Sequence, residues 1–184
     1  KSHKRVFIVH RLDREVSGML VFAKSNAAKM VLQTQWDQAD KRYLAVVHGK
    51  LTTKEGTISS YLMENASHVV FSVSDKSKGK LSHTAYRVLK ETDAFSLLEI
   101  TLLTGRKNQI RVHLADSGHP IVGDTKYGDK TKDGVRKRIA LHAFSLAFNH
   151  PFDGRHVAFK TSIPGYFVQL VGPIHHQGFR ESDA

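Results

Sequence analysis

Short stretches of alternating apolar and polar residues run through most of this chain, and such alternation is typical of half-buried β-strands. The pattern predicts strands at residues 6–10, 18–24, 43–47, 81–91, 95–103, 139–149 and 157–160, with short hairpins between 50 and 75. Helical spacing occurs at 26–38 and in a segment of about three turns that closes at Gly118. Many strands with few helices, in irregular order, favour an α+β domain built on a mixed, mostly antiparallel sheet.

The predicted helix at 26–38 has both a start signal and an apolar face. Ser25 and Asn26 suit the N-cap position, where a side-chain oxygen accepts a hydrogen bond from a free backbone N–H. Residues three and four apart share one face of a helix. We expect this face to pack into the core through Ala28, Val31, Leu32 and Trp36.

The length and composition fit a single domain. The chain has 184 residues, 40% of them hydrophobic, which suffices for one core and leaves little room for two. We expect the domain at 1–173 and a frayed polar tail at 174–184. No apolar run approaches the ~20 residues of a membrane span. The lack of cysteine excludes disulfides, thiolate zinc sites and a cysteine nucleophile, and it fits a cytoplasmic protein, which we expect to be monomeric.

The charge is strongly positive, with 28 Lys and Arg against 17 Asp and Glu and a formal net charge of +11. Nucleic acid is therefore the first partner to consider, although a solvated basic surface without a particular ligand has the same composition. Two basic clusters could follow an RNA backbone or could simply be solvated, namely the lysine run at 76–80 and the triplet Arg136-Lys137-Arg138.

The segment HRLDREVSG at 10–18 places Asp13 between Arg11 and Arg14, at the junction of two apolar runs. From spacing alone, Asp13 is either a structural ion pair at a strand end or a reagent. A reaction that breaks a glycosidic carbon–nitrogen bond can use a carboxylate as nucleophile or as stabiliser of the developing charge. Burial disfavours an ionised carboxyl and a close arginine favours it, so the arginines predict an ionised Asp13.

Four motifs resemble the RluA-type pseudouridine synthases and come in that family's order. HRLDREVSGMLVFAKS resembles the catalytic motif, and KRYLAVVHG resembles the tyrosine-bearing strand. TGRKNQIRVHLADSGHPIVGDTKYG resembles the third motif, and RIALHAFSLAFNHP resembles the strand near the C-terminal end. The resemblance implies the pseudouridine synthase fold and an isomerase that converts specific uridines in RNA to pseudouridine, with no cofactor and no metal.

The resemblance also implies roles for individual residues. Asp13 stands in the place of the catalytic aspartate, and Arg111 matches the arginine that pairs with it. Arg11 matches the arginine that enters the RNA stack when the target base flips out, and Tyr43 matches the tyrosine that lies on this base and serves late proton removal. Without the resemblance, Arg11 could be a phosphate contact or a salt bridge, and Tyr43 a core aromatic. The implied substrate is ribosomal RNA, with transfer RNA second.

Three features depart from the family pattern. Val16 stands where the family usually has Thr, and Asn108 stands where it usually has His. The family's first motif, a strand with Lys-Pro upstream of the aspartate, has no counterpart in this sequence. We therefore expect that an N-terminal strand of the domain is missing.

Arg106, Lys107 and Asn108 open the second predicted helix. Backbone N–H groups at a helix start, with basic side chains beside them, suit an RNA phosphate. The sequence thus predicts an RNA contact at these three residues, with a solvated basic turn as the alternative.

Two other functions stay open from the sequence. A protein on the same fold could bind RNA without catalysis, in which case RNA binding would not need Asp13. A metal-dependent phosphodiesterase could use Asp13, Asp124 and histidines. The 12 histidines show no His-Glu-x-x-His spacing, however, so we expect no metal site and a structural, hydrogen-bonded His113.

Overall fold

The computed structural model describes residues 5–128, 130–133 and 138–174. The strands are β1 Phe7–Ile8, β2 Ser17–Gly18, β3 Phe22–Ala23, β4 Asp40–His48, β5 Glu55–Glu64, β6 Val70–Val73, β7 Lys80–Glu91, β8 Phe95–Leu102, β9 Leu141–Asn149 and β10 His156–Lys160. The helices are α1 Asn26–Thr34, α2 Gln109–Asp116, α3 Lys130–Asp133 and α4 Gly165–Val171, with a 3-10 turn at Trp36–Gln38. Within the described ranges, no helix has the length and apolar character needed to cross a membrane.

An eight-stranded sheet organises the fold, in the order β10-β9-β4-β8-β7-β5-β6, with β2 beside β9. The pairs along this order are antiparallel, whereas β2 pairs with β9 in parallel. β1 and β3 form a separate two-stranded ribbon. The predicted α+β class with a mixed, mostly antiparallel sheet is confirmed.

The middle of the sheet is buried on both faces. Four consecutive residues of β4, from 44 to 47, are 0% exposed. Successive strand residues point to opposite faces, so burial of four in a row requires cover on both sides. α4 packs on β4 and β8 through Phe167 and Val171, and α2 packs on β5, β6 and β7. β4 therefore gives a rigid support for the residues at its start.

The N-terminal strands are shorter than predicted. The strands expected at 6–10 and 18–24 reduce to β1 and β3, because Ser17 and Gly18 turn aside to pair with β9. Gly18 has φ +124, and a Cβ at this position would lie 2.4 Å from the carbonyl oxygen of Ala143. Glycine alone fits this approach, so it lets the corner around Asp13 lie against the main sheet.

The helix predicted at 26–38 is α-helical in its first part and ends in the 3-10 turn. Ser25 caps it as predicted, because its hydroxyl accepts the Ala28 N–H at 3.1 Å. The predicted apolar stripe is buried at Ala28 and Leu32 only. Val31 is 42% exposed, and Trp36, which lies in the 3-10 turn, is partly buried.

The other helices also differ from the prediction. α2 has eight residues and starts after Arg106–Asn108, because Asn108 adopts a left-handed backbone conformation with φ 53 that interrupts helical geometry. α4 was not predicted, since its seven residues are too few to show a helical period. α3 was not predicted either, and its Asp133 is buried with the carboxylate 2.9 Å from His48 Nε2.

Several predictions concern residues that lie partly or wholly outside the described ranges. Arg136, Lys137 and the tail from residue 175 are in this group. Arg138 is exposed, and the lysine run at 76–80 forms an exposed turn that leads into β7.

Candidate active site

A cleft of about 290 Å³ opens between the Asp13 corner, the 3-10 turn, the start of β4 and the N-terminal end of α2. It brings together every predicted site residue except Lys107, namely Arg11, Asp13, Tyr43, Arg106, Asn108 and Arg111. These residues are up to 100 positions apart in sequence (Arg11 and Arg111). Convergent polar groups in a cleft of roughly this size are typical of a ligand or substrate site.

Asp13 lies in a turn that is closed by a hydrogen bond from the Val16 N–H to the carbonyl oxygen of Asp13 at 3.0 Å. Its side chain is 19% exposed. The Asn108 amide donates a hydrogen bond to Oδ2 of Asp13 at 2.6 Å, and Arg111 Nη1 lies 3.5 Å from the same oxygen. Asp13 is thus anchored on one side and accessible from the cleft on the other.

Arg111 contacts three carboxylates, and Asp13 is not the nearest. Its Nε and Nη2 donate to the two oxygens of Asp124 at 2.8 and 2.7 Å, and its Nη1 lies 3.2 Å from Glu15. Burial opposes the positive charge, but the hydrogen bonds and charge of Asp124, followed by the charges of Asp13 and Glu15, raise the pKa of Arg111. The pair expected between Arg111 and Asp13 is present at 3.5 Å, while the stronger bidentate pair is with Asp124.

Asp124 is held in place by a local turn that has a recognisable sequence pattern. Its Oδ1 accepts the backbone N–H groups of Lys126 and Tyr127 at 2.9 and 3.0 Å. Burial opposes ionisation, but the hydrogen bond from Arg111 and these backbone donors outweigh it and lower the pKa of Asp124. An Asp followed by Thr-Lys-Tyr-Gly is a signal for such an Asx turn, and it would have identified Asp124 as an anchor.

The metal hypothesis fits this geometry poorly. Both oxygens of Asp124 bind Arg111, so this carboxylate has little capacity left for a cation. His113 is fully buried, with Nδ1 2.9 Å from Thr84 Oγ1 and Nε2 3.0 Å from Ser60 Oγ. Within the ranges that the structure describes, no group of three or more His, Asp or Glu side chains could hold a metal ion.

Tyr43 lies at a bulge in β4. The pairing of β4 with β9 shifts register between Arg42 and Tyr43, and such a bulge redirects the side chain that follows it. Burial, and then the negative charge of Asp13, raise the pKa of Tyr43 to about 12. The phenol is therefore protonated at neutral pH. Its neutral ring can stack on a nucleobase, and its hydroxyl is a hydrogen-bond donor rather than a ready proton acceptor.

The lining of the cleft also includes an aromatic pair, His10 and Trp36, to which the sequence assigned no role in the site. The rings of His10 and Trp36 stack with centroids 4.5 Å apart, and His10 Nε2 accepts the Val21 N–H at 3.1 Å. Burial, and then the charge of Lys41, lower the pKa of His10 to about 4. The ring is neutral at pH 7, and beside it the side chain of Arg11 is exposed.

The three basic and polar residues before α2 do not act as one group. Asn108 is buried and its amide points to Asp13. Lys107 forms an ion pair with Glu64 and lines a neighbouring groove. Arg106 is exposed and lines both this groove and the cleft, so it is the member of the trio best placed for a phosphate.

Comparison with known proteins identifies close relatives. Residues 1–116 match the family model described as RNA pseudouridylate synthase. The chain is 38% identical over 181 residues to ribosomal large subunit pseudouridine synthase D of Nitrosomonas europaea, covering 94% of this chain and 52% of that protein. It is 37% identical over 179 residues to the protein of the same name from Neisseria meningitidis, covering 91% and 48%.

A solved structure shows the same fold. Human RNA pseudouridylate synthase domain containing 1 superimposes with a TM-score of 0.81 at 28% identity, covering 98% of this chain and 78% of that one. The chain spans about half the length of the curated relatives it matches. The resemblance seen in the four sequence motifs and the predicted fold are both confirmed.

Proposed function

We propose that this chain, which belongs to the RNA pseudouridylate synthase family, isomerises uridine to pseudouridine within RNA by means of Asp13 and without a cofactor. The observation that carries the proposal is the cleft around Asp13. It holds a partly exposed carboxylate that is anchored by Asn108 and Arg111, and Tyr43 lines the same space. A purely structural carboxylate, with both oxygens engaged in hydrogen bonds, would have no free oxygen for a substrate.

The reaction is balanced without any added reagent. The bond between the ribose carbon and the base nitrogen breaks, the base turns, and the same ribose carbon bonds to a base carbon. That carbon loses a proton, and the freed nitrogen takes one up. Asp13 either attacks the ribose or stabilises its developing positive charge, and Arg111 keeps the carboxylate in place.

The target base must leave its stack before Asp13 can reach it, which costs a few kcal/mol. Arg11 is exposed at the rim and its flat guanidinium can occupy the vacated position in the stack. Tyr43 offers a face on which the displaced base can lie, and such stacking is worth roughly 1–3 kcal/mol per base. Arg106 is placed to bind a flanking phosphate, and Lys107 adds positive charge beside it.

We propose ribosomal RNA as the substrate, since two of the relatives are named ribosomal large subunit pseudouridine synthase D. The net charge of +11 suits any RNA, so transfer RNA is the second candidate. We further propose that the chain acts as a monomer in the cytoplasm.

The test is pseudouridine formation on total RNA from a strain that lacks the gene. The chain, Asp13→Asn and a control, Asp93→Asn at an exposed turn, are added separately, and modified sites are mapped by chemical labelling and primer extension. We expect the chain and the control to restore a site and Asp13→Asn to be at least about 1,000-fold slower, as for loss of other central catalytic groups. RNA binding by all three proteins without modification would instead support a non-catalytic RNA-binding protein.

A further inference from the structure

We infer that Asn108 is a positioning residue that holds Asp13 by one oxygen, and that Lys126 and Tyr127 orient the Asn108 amide for this purpose. The inference rests on the proposed function, because the residue it positions is the proposed catalytic carboxylate. It also assigns Asn108 a role that differs from the RNA contact expected from its place in the sequence.

The first step concerns the contacts of Asp13. The Asn108 amide nitrogen lies 2.6 Å from Asp13 Oδ2, which is closer than the 3.5 Å separation from Arg111. Over the described part of the chain, both of these contacts go to Oδ2 and none is found at Oδ1. The arrangement therefore leaves Oδ1 as the oxygen that faces the substrate.

The second step fixes the orientation of the amide. Lys126 Nζ and the Tyr127 hydroxyl lie 3.4 and 3.2 Å from the Asn108 side-chain oxygen. An ammonium group can only donate, so the atom facing Lys126 must be the amide oxygen, and the NH₂ group must then face Asp13. The reverse orientation would set an NH₂ group against an ammonium and an oxygen against a carboxylate.

The third step concerns the network around this amide. Tyr127 accepts the Val70 N–H at 3.1 Å, and Lys126 also donates to the His68 carbonyl oxygen at 3.0 Å. The two orienting side chains are thus tied to the first residue of β6 and to the loop before it. They make no direct contact with Asp13 among the described residues, so any effect they have on it passes through Asn108.

The fourth step explains why asparagine suits the position. Asn108 has φ 53 and ψ 14, a conformation that Asn, Asp and Gly tolerate better than most residues. Its carbonyl oxygen accepts the Val112 N–H at 3.0 Å and starts α2, while its side chain makes no capping bond. The side chain is therefore available for Asp13 instead of for its own helix.

The decisive experiment compares kcat and KM for pseudouridine formation in Asn108→Asp, Asn108→Gly and Tyr127→Phe. Asn108→Asp keeps the size and the backbone conformation but sets a second carboxylate against Asp13. We expect its kcat to fall about 100-fold or more and its KM for RNA to change less than about threefold, as for loss of a donor aimed at a reacting group. Asn149→Asp, at the exposed end of β9, controls for the added negative charge and should keep the kcat of the unmodified chain.

Tyr127→Phe keeps the ring and removes one of the two donors that orient the amide. We expect a loss of kcat of about threefold in the unmodified chain and no further loss when Asn108 is already Gly, because residues that act through one another are not additive. This coupling separates positioning from general stabilisation, and it remains measurable if Asn108→Asp fails to fold.

The outcomes distinguish this inference from the proposed function. If the unmodified chain forms no pseudouridine, the proposed function is wrong and the catalytic role of Asn108 falls with it. If the chain is active and the Asn108 variants raise KM while keeping kcat, Asn108 is an RNA contact and the inference is wrong. Additive losses for Tyr127→Phe and Asn108→Gly would also overturn it.

Discussion

Two regions meet at Arg111, and each brings a carboxylate. The loop after α2 brings Asp124, which is 2% exposed, binds Arg111 through both oxygens and accepts two backbone N–H groups. The corner after β1 brings Asp13, whose side chain is 19% exposed and contacts Arg111 at 3.5 Å through one oxygen. Both are Arg–Asp pairs by the usual distance criterion.

The two carboxylates differ in how many hydrogen bonds and ion contacts their oxygens make, and this number distinguishes a structural carboxylate from a reactive one. A carboxylate whose lone pairs are all engaged cannot approach a substrate without breaking its own support. Asp124 comes close to this state, with three hydrogen bonds to Oδ1 and one to Oδ2, and it fixes the guanidinium that Asp13 contacts. Asp13 keeps one accessible oxygen, which is what a nucleophile or a charge stabiliser needs.

The largest expected effect is on stability, from Asp124→Asn. The change removes one charge of a buried bidentate pair and leaves Arg111 without its main partner. Breaking such a pair from one side costs about 3–5 kcal/mol in the free energy of unfolding. Urea denaturation at neutral pH measures this loss.

Asp13→Asn is the matched change at the other carboxylate. We expect it to lower the free energy of unfolding by less than Asp124→Asn does, because the contact of Asp13 with Arg111 is longer, at 3.5 Å, and its side chain is 19% exposed against 1% for Asp124. Equal losses for the two variants would mean that Asp13 is a structural pair like Asp124, and the comparison would fail.

The next effect concerns Tyr43, which senses the charge of Asp13. Its pKa is about 12 in the folded chain, against an ordinary value of 10.0. The folded protein therefore keeps the phenol proton where the unfolded chain loses it, so this contribution to stability is complete below pH ~10 and is lost as the pH rises to ~12, amounting to about 2–3 kcal/mol.

Asp13→Asn removes the second cause of that pKa shift and leaves burial, the first. We expect the pKa of Tyr43 to move part of the way back towards its ordinary value, as measured by phenolate absorbance with Tyr43→Phe to assign the signal. Glu15→Gln should change this titration much less, since burial and the charge of Asp13 account for the shift. An unchanged titration in Asp13→Asn would contradict the proximity of Asp13 and Tyr43.

The smallest effect is expected at Glu15, the third carboxylate near Arg111. Its side chain is 48% exposed and lies 3.2 Å from Arg111, which makes it an exposed ion pair. Glu15→Gln should change the free energy of unfolding by no more than about 0.5 kcal/mol. Thermal unfolding measures this, and a loss comparable to that of Asp124→Asn would show that proximity to Arg111, rather than burial and geometry, sets the cost.

Much of the site could be predicted because it lies in contiguous motifs. Asp13 and Arg11 stand in one motif, Tyr43 in a second and Arg106 with Arg111 in a third. Each motif is contiguous in sequence, so the motifs and their order along the chain can be recognised without knowledge of the fold. Contacts between residues remote in sequence could not be predicted in this way: the RNA contact at Asn108 stays a prediction, whereas the hydrogen bond from its amide to Asp13 is seen only in the folded structure.

The class of fold, most strands of the main sheet and most of the polar residues that line the cleft could be read from the sequence, because alternation, capping signals and motifs depend on local chemistry. The partner of each side chain, by contrast, follows from the folded structure alone. Arg111 pairs more closely with Asp124 than with Asp13 because the turn at Asp124 presents both carboxylate oxygens. Gly18 allows the corner around Asp13 to lie against β9, at a position where a larger residue would not fit. Such choices depend on distances across the fold, which spacing along a chain does not encode.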